Sequence, residues 1–140
     1  MLPYLLTAML GCAPTYANLA PIQPADLWSP LPVRHAKVGD LDIAYVDSRG
    51  DSPDGPWAGD DTPIIFIHGL SSYASFWEYQ IPAFAEHHRV LALDLPGYGA
   101  SSRPDAPYTP PWFASVIADW MDTLGIQRAT LVGHSMGGQI

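Results

Sequence analysis

TLVGHSMGGQ, residues 130–139, joins the end of a short strand-like segment to a serine flanked by glycines. Ala129–Val132 is typical of a strand, and Gly133-x-Ser135-x-Gly137 is typical of a sharp turn from that strand into a helix. Such a turn holds its serine in a sparsely populated backbone conformation with the hydroxyl exposed. Gly133 and Gly137 let the strand and the helix approach without a clash at Cβ. Ser135 is therefore a candidate nucleophile.

Two further strands are predicted upstream, and each ends in a loop of distinctive composition. Pro63–Ile67 and Arg89–Leu93 are continuous apolar runs of the kind that form strands covered on both faces. The first is followed by HGLS, residues 68–71, and the second by DLPGYGAS, residues 94–101. Parallel strands that alternate with helices form a doubly wound sheet, whose ligand sites lie outside the carboxyl ends of the strands. We therefore expect an α/β fold with these loops along one edge.

Two amphipathic segments supply the helices between those strands. Phe76–His88 has apolar residues at roughly helical spacing, interrupted by Pro82, and we expect Phe76 and Trp77 in the core or in a pocket wall. Tyr108–Leu124 repeats apolar residues every three to four positions and is ended by Gly125. Both helices are expected to pack one face on the sheet.

A hairpin is predicted before the first apolar strand. Val33–Val38 and Leu41–Val46 flank the turn residues Gly39-Asp40, and the second arm alternates apolar and polar side chains. An acidic segment rich in glycine and proline, Ser48–Thr62, then leads into the next strand. Its four aspartates match no calcium-loop spacing, so we interpret it as a solvated surface insertion.

The three strand-end motifs, in this order, resemble the α/β-hydrolase family in its serine-nucleophile branch. The resemblance covers about residues 33–140 and implies a doubly wound, mostly parallel sheet with the hairpin at one edge. Members of the family usually have a larger sheet than this sequence supplies. We therefore expect residues 33–140 to be the N-terminal part of the domain, truncated after the nucleophile elbow.

The resemblance also assigns roles in catalysis. Ser135 would attack an acyl carbon, and the backbone N–H groups of Met136 and Leu70 would form the oxyanion hole. Gly69 would let the loop before Leu70 bend close to the substrate. No cofactor and no metal are expected.

Three other polar residues near these motifs are given structural roles. His68 is expected to order its loop through hydrogen bonds, and His134 is expected in the core with its side chain pointing away from Ser135. Asp94 is expected to stabilise its own turn through hydrogen bonds within residues 94–97. In the family, the acid and the histidine of the triad both follow the serine. They are thus expected beyond Ile140, which would leave this chain inactive and the edge of the last strand unpaired.

These assignments favour a serine hydrolase that cleaves an ester or related acyl bond. Relatives that open epoxides or displace halides use aspartate at the elbow and commonly His-Gly-x-Pro at the oxyanion loop, whereas this chain has Ser135 and Ser71. A C–C bond hydrolase, a haloperoxidase-like enzyme and a proline iminopeptidase-like peptidase resemble the chain in the same motifs and stay open. A non-catalytic member of the fold, or an inactive fragment, is the alternative outside catalysis.

Composition restricts the partners. The 140 residues have a formal net charge of −8 and 48% hydrophobic residues, typical of a globular domain with an acidic surface. Nucleic acid is excluded as an expected partner, because a binding surface for phosphates needs a basic patch. His87 and His88 are interpreted as a solvated helix end rather than as metal ligands. The expected partner is a small-molecule acyl substrate.

The N-terminus indicates export. Residues 1–20 begin with an apolar stretch too short to span a bilayer, and we interpret them as a signal peptide or lipoprotein signal. Lipidation at Cys12 would attach the protein to a membrane, whereas cleavage after Ala17 would release it. Residues 21–32 are expected to form a proline-rich linker. A signal peptide normally begins with Lys or Arg, but this sequence has neither before Arg34. A disordered or membrane-peripheral N-terminus therefore stays open as an alternative, as does a cytoplasmic location.

Overall fold

A computed structural model of the chain describes residues 32–50 and 62–140. They form a five-stranded sheet with helices against it, which confirms the predicted α/β class. The strands are β1 Arg34–Val38, β2 Leu41–Asp47, β3 Ile64–Ile67, β4 Val90–Leu93 and β5 Thr130–Gly133. The helices are the 3₁₀ helix Ala74–Trp77, α1 Gln80–Ala85, α2 Pro110–Thr123 and α3 Met136–Gln139.

The sheet has the strand order β1-β2-β4-β3-β5. β2 is antiparallel to both of its neighbours, whereas β3 is parallel to β4 and to β5. Four of the five strands therefore run in one direction, as the mostly parallel prediction requires. Within the described ranges β5 pairs only with β3, so its other edge is unpaired.

Helices cover both faces of the sheet, because the central strands are apolar on both sides. Side chains on one face pack with α2 around the fully buried Trp120. Alternate residues of the same strands pack on the other face with the 3₁₀ helix and α1, around Phe66 and Trp77. The rings of Phe66 and Trp77 stack with their centroids 4.7 Å apart. This two-sided burial explains why β3 and β4 have continuous apolar sequences.

The predicted helix Phe76–His88 is wrong in its bounds. The segment divides into the 3₁₀ helix and the six-residue α1, which begins two residues before Pro82. Proline lacks an N–H and is tolerated only in the first turn of a helix, so Pro82 favours a new helix start at Gln80. Trp77 is buried, as expected, but the side chain of Phe76 is 46% exposed.

The second predicted helix starts two residues later than Tyr108. Tyr108 has a φ of 50°, and Thr109 is extended at φ −94° and ψ 154° before the prolines of the first turn. Helical geometry is sterically disfavoured for a residue before proline, and Thr109 before Pro110 accordingly stays extended, which favours this boundary. The helix ends at Thr123, within a residue of the expected end.

The predictions for the N-terminus lie outside the described residues. They are the signal peptide at residues 1–20, the lipidation site Cys12, the cleavage site after Ala17 and nearly all of the linker 21–32. Most of the predicted acidic insertion also lies outside them. In the part that is described, no helix is both long enough and apolar enough to cross a membrane.

A buried ion pair connects the end of β2 with the start of β4. Nη2 of Arg89 lies 2.7 Å from Oδ2 of Asp47, and Nε of Arg89 donates to Oδ1 at 3.2 Å. The backbone N–H of Arg49 also donates to Oδ1 of Asp47, at 3.0 Å. Both side chains of the pair are largely shielded from water, at 16% and 8% exposure.

We expect Asp47→Ala to lower the free energy of unfolding by about 3 kcal/mol, because it leaves a buried guanidinium without its carboxylate. Asp42→Ala is the matched control on the same strand. Asp42 is 37% exposed and pairs with Lys37 at 3.5 Å, so its loss should cost less than about 1 kcal/mol. Urea unfolding of the full-length protein measures both values, and equal losses would contradict the prediction.

Candidate active site

The carboxyl ends of three parallel strands align at one edge of the sheet. Ile67, the last residue of β3, is in register with Leu93 of β4 and with Gly133 of β5. The loops that begin at His68, Asp94 and His134 therefore leave the sheet side by side. The structure brings the three predicted motifs together in this way.

Ser135 lies in the sharp turn between β5 and α3, with φ 53° and ψ −117°. This conformation is sparsely populated by residues other than glycine and costs about 1–3 kcal/mol. Three backbone hydrogen bonds fix the turn. The N–H of His134 donates to the carbonyl of Ile67 at 3.0 Å, that of Gly137 to His134 at 2.9 Å, and that of Gly138 to Ser135 at 2.9 Å.

The two motif glycines are required by close backbone contacts. A Cβ on Gly137 would overlap the carbonyl oxygen of Ile67 and would lie 2.8 Å from that of His68. A Cβ on Gly133 would overlap the carbonyl of Gly137. Any larger residue would push α3 away from the sheet and move the serine with it.

The loop after β3 lies directly against the serine. A Cβ built on Gly69 would be 3.1 Å from Cβ of Ser135 and 3.0 Å from Nδ1 of His134. Within residues 32–50 and 62–140, neither the N–H of Leu70 nor that of Met136 donates a hydrogen bond. One unused N–H donor, that of Met136, thus follows Ser135 directly in the chain, and the other, that of Leu70, follows Gly69 on the loop that lies against Ser135.

His68 is fully buried and joins two of the loops. Its Nδ1 donates to the carbonyl of Gly69 at 2.8 Å, and its Nε2 accepts the N–H of Leu95 at 3.0 Å. Because that N–H can only donate, the ring is the neutral tautomer protonated at Nδ1. Burial lowers the pKa of His68, although the hydrogen bond to Gly69 and the charge of Asp94 oppose that shift. Both ring nitrogens are occupied, and neither bonds to Ser135.

Asp94 stabilises more than its own turn, which corrects the expectation that its hydrogen bonds stay within residues 94–97. Its buried carboxylate accepts the N–H of Ala74 at 2.7 Å and that of Ala100 at 2.8 Å. Its backbone carbonyl accepts the hydroxyl of Ser101 at 2.6 Å. Asp94 therefore joins the loop after β4 to the start of the 3₁₀ helix.

Ser101 is a buried residue that we did not single out from the sequence. Besides donating to Asp94, its Oγ accepts the N–H of Ala44 in β2 at 2.8 Å. One hydroxyl thus joins the sheet to the loop after β4. The only indication of this role in the sequence is the position of the serine directly after a glycine-rich turn.

His134 is exposed in the described part of the chain, which contradicts its expected place in the core. It follows β5, the strand with a single neighbour, so no second strand covers it there. Instead, its ring stacks on that of Phe76, with the centroids 4.7 Å apart and the planes inclined at 28°.

No histidine or carboxylate of the described residues hydrogen-bonds to the hydroxyl of Ser135. The same part of the chain has no group of three His, Cys, Asp or Glu side chains arranged to hold a metal ion. His87 and His88 are exposed just after α1.

Known proteins are similar to this chain in both sequence and fold. The solved structure of a membrane phospholipase A aligns with a TM-score of 0.66 and 28% identity, over 96% of this chain and 39% of that protein. An enol-lactonase from Burkholderia xenovorans aligns with a TM-score of 0.65 and 34% identity, over 75% of this chain and 38% of its own.

Among curated relatives, the human (lyso)-N-acylphosphatidylethanolamine lipase is 33% identical over 87 residues, which are 59% of this chain and 25% of that protein. A dihydrolipoyllysine-residue acetyltransferase component of the acetoin cleaving system, from Cupriavidus necator, is 42% identical over 77 residues, 55% of this chain and 21% of that protein. The chain spans about a quarter or less of the length of these two relatives. The family model of the alpha/beta hydrolase fold matches residues 62–140, more than half of the sequence. The chain therefore belongs to the alpha/beta hydrolase fold family.

Proposed function

We propose that the protein is a serine hydrolase that cleaves an ester or related acyl bond through an acyl-enzyme on Ser135. The observation that carries the proposal is the position of this serine. It occupies a strained turn between a strand and a helix, and the Gly69 loop with its unused Leu70 N–H lies directly against it.

The reaction that fits this geometry has two steps. Oγ of Ser135 attacks the acyl carbon as a base removes its proton, and the N–H groups of Leu70 and Met136 donate to the oxyanion that develops. Each such donor contributes about 3 kcal/mol to transition-state stabilisation. The tetrahedral intermediate then expels the leaving group, which takes the proton from the base. In the second step the same base deprotonates a water that attacks the acyl-enzyme, and Ser135 leaves with that proton as the acid is released.

The proton acceptor is expected after Ser135 in the chain, as the order of residues in the family implies. His68 is unsuited to that role, because it is buried, neutral and hydrogen-bonded at both ring nitrogens. Asp94 is also unsuited, because its carboxylate already accepts two backbone N–H groups.

The nucleophile distinguishes between the activities of similar proteins. Three of the similar proteins have names that denote cleavage of an acyl bond: the enol-lactonase, the phospholipase A and the lipase. Other similar structures are epoxide hydrolases and a haloalkane dehalogenase. The latter activities use an aspartate at the elbow, and a serine there supports acyl chemistry. Profiling with short p-nitrophenyl esters, dienones and prolyl amides separates esterase activity from C–C bond hydrolysis and prolyl peptidase activity.

Replacement of the nucleophile is the first test. In the full-length protein, Ser135→Ala should reduce kcat for p-nitrophenyl acetate by at least about 10⁴-fold, because no other group forms the acyl-enzyme. A fluorophosphonate probe should label wild-type protein and fail to label the variant. Ser115→Ala, at an exposed serine on α2, is the control and should keep both properties. Retained esterase activity in Ser135→Ala would refute the proposal.

The buried neutral state of His68 predicts a pH-dependent stability. The pKa of His68 is 6.5 when unperturbed and lower in the fold, so below about pH 6.5 the unfolded chain binds a proton that the folded chain does not. The free energy of unfolding should therefore fall as pH drops through this range. His68→Gln does not titrate, so its unfolding free energy should fall less steeply between pH 7 and pH 5.

Urea unfolding at several pH values measures the two slopes. His87→Gln, at an exposed position after α1, is the matched control and should retain the wild-type slope. Equal slopes for wild type and His68→Gln would show that His68 is not held neutral by the fold.

A further inference from the structure

The imidazole of His134 lies beside the loop after β3, next to the contact that Gly69 makes with Ser135. A Cβ on Gly69 would lie 3.0 Å from Nδ1 of His134 and 3.2 Å from its carbonyl oxygen, so the loop backbone passes immediately beside this residue. The ring also stacks on Phe76, 4.7 Å between centroids. His134 therefore contacts the loop after β3 at two separate places, Gly69 and Phe76.

These two contacts connect the two unused donors. Leu70 follows Gly69 directly, and Met136 is two residues beyond His134. Phe76 belongs to the 3₁₀ helix that ends the same loop, and this helix is held by the hydrogen bond from Ala74 to Asp94. A shift of the His134 ring would change the separation between the Leu70 loop and the elbow.

Within the described residues, the two stacked rings are less buried than the aromatic rings of the core. Phe76 is 46% exposed and His134 is also exposed, whereas the neighbouring Trp77 is 7% exposed and stacks on Phe66 in the core. Stabilisation by the hydrophobic effect scales with the apolar area removed from water, so Phe76 contributes less to folding than Trp77 does.

We propose that His134 and Phe76 form a positioning pair that sets the spacing between the N–H of Leu70 and the N–H of Met136. The inference rests on the proposed function, since it assumes that these donors stabilise an oxyanion on a substrate of Ser135. The pair acts through the backbone and transfers no proton. Its effect falls on the transition state, because the donors must lie within about 2.7–3.1 Å of the oxyanion.

The test uses four variants of the full-length protein: His134→Ala, Phe76→Ala, the double variant and His134→Phe. Displacement of an oxyanion donor should lower kcat for p-nitrophenyl acetate about tenfold in each alanine variant, with KM changed less than about twofold. The double variant should be no slower than the single ones, because both remove the same contact. His134→Phe keeps a ring for stacking and should recover most of the lost kcat.

Phe84→Ala is the matched control. Phe84 has nearly the same exposure as Phe76, 45% against 46%, but its ring packs edge-on against Phe66, whereas the ring of Phe76 stacks on His134. Its removal should leave kcat at the wild-type value. Titration with a fluorophosphonate normalises each rate to folded enzyme, so a loss of folding is not counted as a loss of kcat.

A spectroscopic measurement follows the donors directly. The C=O stretching frequency of an acyl-enzyme, trapped on Ser135 from a slowly hydrolysed cinnamoyl ester, should rise in both alanine variants because their donors polarise the carbonyl less. If His134→Ala and Phe76→Ala keep the wild-type kcat and the wild-type C=O frequency, the proposed positioning role is refuted. The proposed function would still stand in that case, provided that Ser135→Ala is inactive. An active Ser135→Ala would instead refute the proposed function itself.

Discussion

The hydrogen-bonded register of three parallel strands is the constraint on which the candidate site depends. Ile67 pairs in register with Leu93 and Gly133, and the carbonyl of Ile67 also accepts the N–H of His134. Because the strands are parallel, the loop that follows each one leaves the sheet at the same edge. Three loops that are distant in sequence therefore meet because of the strand register alone. A slip of one residue in either pairing would turn the side chains of that strand to the opposite face and separate the loops.

Most of the fold was predictable because its signals are local. Continuous apolar runs at β3 and β4 identify strands covered on both sides, and the turn at Gly39 identifies the hairpin. The helical segment after β3 was predicted too long, because apolar spacing alone does not show where a helix restarts. Pro82 favours that restart because it lacks an N–H, and in the 3₁₀ helix before it Trp77 packs against the other face of the sheet.

The backbone geometry of the candidate site was easier to predict from the sequence than its side-chain contacts. The elbow and the close approach of Gly69 follow from residues whose steric requirements are visible in the sequence. The partners of Asp94 were missed, because Ala74 and Ala100 donate only through backbone N–H groups and carry no side-chain signal. His134 was misplaced for a related reason: whether a residue after a strand is covered depends on what lies beside that strand.

Asp94 and Ser101 together connect β2, the loop after β4 and the 3₁₀ helix through buried hydrogen bonds. Such shared bonds make the loop a poor module for protein engineering. Grafting residues 94–101 alone into another scaffold would leave their carboxylate and hydroxyl without the matching N–H groups of Ala74 and Ala44. Exchange of this loop between homologous proteins should therefore succeed when all three segments are transferred together. Crossover points in recombination libraries should not separate them.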